Sequence, residues 1–328
     1  NIDRFTWNGI RLFDGSYFVS GNKITGGTGL YQEDTWDRAA GIVVHGSSPD
    51  DSAGETTGTV AYNVVYGNAC SGMLFINNTP PAGSAVGFYN NTLYNNGTDS
   101  FANVIVCGSN GITSRNNIMG GANSIALSVE TTTNMTSDNN CFFRASGTMI
   151  RWRGQDFTRD QFANYRSTTG WDARSWVADP LFVSAADFHL MPLSPCVDGG
   201  VSAGFTADFD GVALPQLASV DIGAFELPRP ASLGSPTVTL TSTAPSLTNA
   251  PVPVVVSFDA PVIGFAASDL VVQNATVTNF FGAGANYTFT LSPTAQGSIG
   301  TYVPASVAVD GGNRGNLASY ALMRTYDS

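Results

Sequence analysis

Two short phrases recur in step through the first half of the chain, and this double repeat restricts the fold more than any other feature. One phrase opens on a small residue and continues apolar: Gly9-Ile10-Arg11-Leu12, Gly41-Ile42-Val43-Val44, Gly72-Met73-Leu74-Phe75, Asn103-Val104-Ile105-Val106 and Ser124-Ile125-Ala126-Leu127. The other opens on Asn and continues into a strand-forming pair: Asn22-Lys23-Ile24, Asn63-Val64-Val65, Asn91-Thr92-Leu93, Asn117-Ile118-Met119 and Asn140-Cys141-Phe142. The first set is spaced by 32, 31, 31 and 21 residues, the second by 41, 28, 26 and 23. Periods that drift in this way belong to a solenoid whose connecting loops vary in length. A four-residue apolar strand cannot bury its inner face alone, whereas stacked copies make a continuous core and pair their backbones with the turns above and below. The expected fold over residues 9–143 is therefore a right-handed parallel β-helix. Asn suits the corners because it tolerates left-handed backbone and its amide can bond the same amide one turn away. An antiparallel sandwich would also give short strands, but it has no reason to repeat both phrases in register.

Composition narrows the partners. The 328 residues suffice for two domains, and 43% of them are hydrophobic, enough for a core. With 25 acidic residues, the single lysine Lys23 and a net charge of −11, the chain lacks the clustered cations that nucleic acid requires. No apolar run reaches the roughly 18 residues of a membrane span, and no signal peptide is present. A chain that enters its first turn without a helix or polar cap is expected to be the C-terminal part of a longer one, since solenoid ends need covering. Cys70, Cys107, Cys141 and Cys196 form no CxxC pair, which argues against zinc. They read as buried thiols, with a bridge such as Cys141 to Cys196 as the alternative in an oxidising compartment.

The longest excursions fall in the first two turns and gather Tyr31, Glu33, Asp34, Trp36, Asp37 and Arg38, then His45, Asp50, Asp51 and Glu55. Loops on a rigid scaffold are where binding groups concentrate. Aromatic rings beside carboxylates and an Arg suit a sugar chain, so Tyr31, Glu33, Trp36 and Arg38 are the candidate substrate-binding residues. A solvated acidic loop is the structural alternative. Beyond the coil, residues 158–166 carry an N-cap Thr and an apolar face of Phe162 and Tyr165, joined by the preceding Phe157, ending before Gly170. This is a short amphipathic helix expected to cover the open end of the core. Asp198, Asp208, Asp210 and Asp221 are candidate calcium ligands, against the reading that they shape turns beside Gly. His189, alternating with Phe188 and Leu190, reads as structural. Residues 1–226 thus form the β-helix with a C-terminal capping segment over about 144–226. A Pro-rich linker over 227–235 leads to an all-β sandwich over 236–328, whose short strands recur with turn signals between them. Asp310, Asn313 and Asn316 read as a tight loop with a weaker resemblance to an ion site.

Three resemblances add to this reading. Gly9 to Asn22, with Gly26-Gly27, Arg38-Ala39-Ala40, Asn90-Asn91-Thr92 and Asn116-Asn117-Ile118, resembles the mid-to-late coils of chondroitinase B and alginate lyases. These are calcium-assisted β-helix polysaccharide lyases whose calcium-binding acids, base Lys and catalytic Arg lie on earlier coils. Within this chain the candidates for a base and a positive centre are Lys23, Arg38 and His45. Residues 171–226, with Ala178-Asp179-Pro180, Asp208-Phe209-Asp210-Gly211 and Asp221-Ile222-Gly223-Ala224-Phe225-Glu226, resemble the C-terminal module of secreted bacterial right-handed β-helix proteins, which often precedes surface anchors. Residues 236–320, with Phe258-Asp259-Ala260-Pro261-Val262 and Val307-Ala308-Val309-Asp310-Gly311-Gly312-Asn313, resemble a bacterial Ig-like repeat.

Two functional readings follow. In one, the chain is part of a cell-surface or secreted bacterial protein with a structural, adhesive or glycan-binding role, whose partners are extracellular polysaccharide or other surface-protein subunits. In the other, it is the downstream portion of a polysaccharide lyase acting by β-elimination, with its catalytic coils upstream.

Overall fold

A computed structural model describes residues 1–6, 8–28, 40–46, 56–97, 101–122, 124–132, 134–216, 218–228 and 234–327. Its contacts divide the chain into two units, Asn1–Leu190 with Cys196–Leu227, and Met191–Pro195 with Pro228–Ser328. The fold is all-β, a parallel β-helix followed by an Ig-like sandwich.

In the first unit each turn lays down three short strands, and equivalent strands of successive turns pair in parallel. The first sheet stacks Asn8–Phe13, Ala40–His45, Ser71–Ile76, Ala102–Cys107, Ile125–Val129 and Thr148–Trp152. The second stacks Gly15–Ser20, Thr56–Ala61, Val86–Tyr89, Ile112–Arg115 and Met135–Asp138. The third stacks Ile2–Asp3, Lys23–Thr25, Val64–Tyr66, Thr92–Tyr94, Ile118–Gly120, Cys141–Phe143 and Trp176–Val177. Side chains alternate along each strand, so one column per sheet points inward. Ile42, Met73 and Val104 from the first sheet meet Phe88 from the second and Leu93 and Phe142 from the third in one core.

The small residue that opens the first phrase has a steric cause. A Cβ on Gly41 would lie 2.5 Å from Val65 Cγ1 and 2.8 Å from Gly72 O, and one on Gly72 would lie 2.8 Å from Asn103 O. The column therefore stays bare where the chain turns inward. The observed register joins Ile10 to Ile42, Ile42 to Met73, Met73 to Val104, Val104 to Leu127 and Leu127 to Ile150. Asn103 thus stands beside Ala126, and the expected alignment of Asn103 with Ser124 is two residues short. A slip of two keeps every side chain on its own face, so apolar alternation cannot detect it.

The Asn of the second phrase builds a continuous ladder. Side-chain amides link Asn22 to Asn63 at 3.0 Å, Asn63 to Asn91 at 2.9 Å, Asn91 to Asn117 at 3.0 Å and Asn117 to Asn140 at 3.1 Å. The left-handed backbone belongs to the residue before each of them: Gly21, Tyr62, Asn90, Asn116 and Asn139 have φ between +49° and +66°. A second ladder, absent from the sequence reading, joins Asn68, Asn96 and Asn103 at the next corner.

The C-terminal end of the coil is closed twice. Gln155–Thr158 turns back antiparallel on Thr148–Trp152, which blunts the open edge of the first sheet. The expected helix follows as a 3-10 turn over Arg159–Gln161 and an α-helix over Phe162–Thr169, ending at Gly170 with φ +73°. Phe157, Phe162 and Tyr165 are buried in the coil's core. Residues 178–190 and 196–226 do something different from capping the end. They lie along the outer face of the third sheet, where Leu190, Cys196 and Ile222 pack on Ile118 and Cys141, and Phe188, Ala224 and Phe225 on Val64. Left-handed Asn90 and Asn116 anchor this wrap, donating to Asp221 O at 3.0 Å and Val201 O at 2.7 Å. No disulfide joins the four cysteines, and Cys141 and Cys196 lie in the same buried cluster.

The second unit is a sandwich of two sheets. One is formed by Val238–Thr241, Val252–Ile263 and Ala275–Pro293, with Val309–Asp310 added to Val252–Ile263. The other runs in the order Leu247–Thr248, Leu322–Tyr326, Gly297–Tyr302, Val271–Gln273. Val252, Val254, Val256 and Phe258 face the core in strict alternation. Gly297–Tyr302 and Leu322–Tyr326 are strands that the sequence reading omitted. Asp310 closes its tight loop by accepting from Gly312 N and Arg314 N at 2.9 Å each and pairing with the Arg314 guanidinium at 2.7 Å.

Candidate functional site

The expected site residues do not gather in one place. Tyr31, Glu33, Trp36 and Arg38 lie outside the described residues, as do Asp34, Asp37, Asp50, Asp51 and Glu55. Lys23 sits on the third sheet, where its Nζ stands 5.4 Å from the centre of the Tyr66 ring. His45 ends a strand of the first sheet and is 5% exposed. Its ring lies 5.2 Å from that of Phe13 and its Nδ1 contacts Gly46 O. Lys23 and His45 therefore belong to different sheets.

The four aspartates expected to converge on calcium are engaged otherwise. Asp208 accepts from Asp210 N, Val212 N and Glu226 N at 2.9, 2.7 and 2.8 Å, and Asp221 accepts from Asp198 N and Leu227 N at 2.7 Å each. Asp198 accepts from Ser219 N at 3.0 Å, and Asp210 pairs with His189 Nε2 at 2.7 Å. Oxygens that already receive peptide N–H groups do not present the open oxygen shell calcium takes, so these residues do not fit the ion. Among the described residues no group of three or more His, Cys, Asp or Glu is arranged to hold a metal. Burial, then the neighbouring Glu226 carboxylate, pushes Asp221 up to about 8. Burial likewise raises Asp208 and Glu226.

His189 is structural, as the sequence suggests, and is held on both sides. Its Nδ1 meets Asp187 at 2.5 Å and its ring lies 4.1 Å from Phe225, so with Asp210 it fastens the wrap to itself. Burial opposes its protonation, but the hydrogen bonds its ring donates to Asp187 and then Asp210 leave it raised overall. Asp172, unremarked in the sequence, ends the Asn ladder. It is 1% exposed and accepts from Ser137, Ser175 and Tyr165 hydroxyls at 2.9, 2.6 and 2.8 Å.

Among the described residues, one feature suited to binding was not visible in the sequence. Where the chain leaves the first sheet for the second, the corners after Cys107 and Val129 are shorter than the one after Ile76, and a cleft of about 590 Å³ opens there. It is lined by Gly108 and Asn110 from one turn, Glu130, Thr131 and Thr132 from the next, and Arg153 from the last. Gly108 N donates to Thr131 Oγ1 at 2.7 Å, and Arg153 Nη2 donates to Thr132 O at 2.7 Å. The Arg153 guanidinium stands 4.8 Å from the Trp152 ring centre. Thr132 is 5% exposed, and its buried hydroxyl has no hydrogen-bond partner in the protein. Amide, hydroxyl, carboxylate and guanidinium groups are thus set out at the strand spacing of about 4.8 Å per turn. The volume falls within the range of small-ligand sites.

A parallel β-helix joined to a sandwich defines a class of β-rich, modular protein. Within it, residues 233–325 match the family model of a bacterial Ig-like domain. No curated protein and no solved structure matches the chain. No described helix is long and apolar enough to cross a membrane.

Proposed function

We propose that the chain belongs to an extracellular bacterial surface protein, in which the β-helix is a rigid stalk that holds a hydroxyl-rich glycan in its side cleft. The Ig-like unit extends or assembles that stalk. The observation that carries the binding role is the cleft itself: Asn110, Glu130, Thr131 and Arg153 offer donors and acceptors along the coil axis. Fixed groups repeating along an axis suit a polymer whose hydroxyls also repeat, and a scaffold ordered beforehand lowers the entropy cost of binding. The bacterial Ig-like match supports the surface setting.

The test is affinity electrophoresis of the protein through gels containing neutral or uronate-bearing polysaccharides, with ultraviolet absorbance of the same mixtures recorded in parallel. Retardation by at least one polymer with no growth of conjugated double bond is the expected result. A growing absorbance would point instead to eliminative cleavage, and unretarded migration throughout would remove the glycan role.

A further inference from the structure

A charge that leaves water must be matched, so a polar cleft selects its occupant by the charges it holds and by how far they are already engaged. Among the described residues the side cleft is lined by one carboxylate, Glu130, one guanidinium, Arg153, and four uncharged residues. The cation is already engaged. Arg153 Nη2 donates to Thr132 O at 2.7 Å, and the guanidinium carbon stands 4.8 Å from the Trp152 ring centre. A uronate carboxylate is gripped best by an arginine that offers two parallel N–H bonds, and this one has turned part of its fork to the wall. The arginines flanking it in sequence do not take its place. Arg151 pairs with Asp156 at 2.6 and 3.0 Å, and Arg144 donates to Thr148 O at 2.6 Å. Lys23, the only lysine, stands on the third sheet.

The hydrogen-bonding groups favour a different ligand. A carboxylate only accepts, with about four sites, so Glu130 asks its occupant for donors. A sugar hydroxyl supplies one, and a second carboxylate supplies none. Thr131 is exposed, and Gly108 N donates to its Oγ1 at 2.7 Å, which fixes that oxygen and leaves its proton and a lone pair to a ligand. A hydroxyl donates and accepts at once, so neighbouring hydroxyls of one sugar ring can serve Glu130 and Thr131 together.

We infer that the cleft takes an uncharged sugar unit through its hydroxyls and discriminates against uronates, with Glu130 as the residue that sets the preference. This narrows the glycan reading, on which it rests, to neutral polysaccharides. The whole chain acts in the same direction, since a net charge of −11 repels a polyanion. Salt separates the ligand classes by sign. Screening leaves the affinity for a neutral ligand nearly unchanged, strengthens binding of a repelled polyanion and weakens binding that depends on an ion pair.

Fluorescence anisotropy on the full chain tests it, with end-labelled laminarin, xyloglucan and galactomannan, each beside its own C6-oxidised uronate form, at two salt concentrations. At least one neutral polymer should bind with an affinity that changes less than about twofold with salt. Its oxidised form should bind about tenfold or more weakly at low salt and recover as salt is added. Glu130→Gln, shown to be folded by circular dichroism, should weaken the neutral polymer and narrow the gap between the two forms. An oxidised polymer bound as tightly as its parent, or with an affinity that falls as salt rises, would overturn the inference and leave the glycan reading in place. So would a Glu130→Gln variant with the preference unaltered. Failure of every polymer, neutral or oxidised, to bind would remove the glycan reading and the inference with it.

Discussion

Asn91 shows how much one corner residue carries. Its Nδ2 donates to Val60 O, Tyr89 O and Asn117 Oδ1, while its Oδ1 accepts from Asn63 N and Nδ2. Asn91→Ala strands several of those partners in a buried site, and a cost of about 3 kcal/mol is expected, against about 1 kcal/mol for Asn22→Ala at the half-exposed end. Denaturant unfolding of the two variants checks the ratio. Carboxyls set the pH response. Asp172, Asp208, Asp221 and Glu226 are all raised above their ordinary values, chiefly by burial, and His189 is raised as well. A raised group binds more protons folded than unfolded, so its contribution to stability falls as pH climbs from the ordinary value to the folded one. For Asp221 that window runs from about 4 to about 8. The β-helix should accordingly melt at a higher temperature at pH 5 than at pH 8, and Asp221→Asn should flatten the difference. Calorimetry across that range gives the answer. The ladder Asn were legible because they repeat. Asp172 and Glu226 were not, because a lone acidic residue gives no sign in sequence of whether it will be buried.

Strands and corners were legible for the same reason, and their limits are instructive. The bare column of Gly9, Gly41 and Gly72 is visible in sequence, while its cause emerges only when Val65 is found pressing on Gly41. Gly41→Ala should cost about 2 kcal/mol, the overpacking range, while leaving the parallel pairing intact. Thermal melting with amide exchange would separate the two effects, and an unaltered melting temperature would contradict the steric account. The helix over Phe162–Thr169 was readable from its cap and apolar face. The position of the wrap over residues 178–190 and 196–226 was not legible, because nothing in a string of Asp-Gly turns says which face of a coil it will cover. Its position follows from Val64, Ile118 and Cys141, apolar residues on the outward side of the third sheet that need covering.

The molecule as a whole joins a coil that presents groups at a fixed spacing to an Ig-like sandwich. The four aspartates that are candidates for calcium already hold backbone N–H groups or His189. Adding chelator should leave the melting temperature unchanged, and a fall would restore the ion site. The cleft was illegible in sequence because Asn110, Thr131 and Arg153 come from three corners that share no motif and are brought together only by stacking. It is also where the account is most exposed. The most direct measurement compares the polysaccharide affinity of the wild type with that of Asn110→Ala combined with Arg153→Ala, by affinity electrophoresis on folded protein. The account predicts a loss of about tenfold or more, the effect of removing two polar contacts from a binding site. A variant retarded as strongly as the wild type would contradict it.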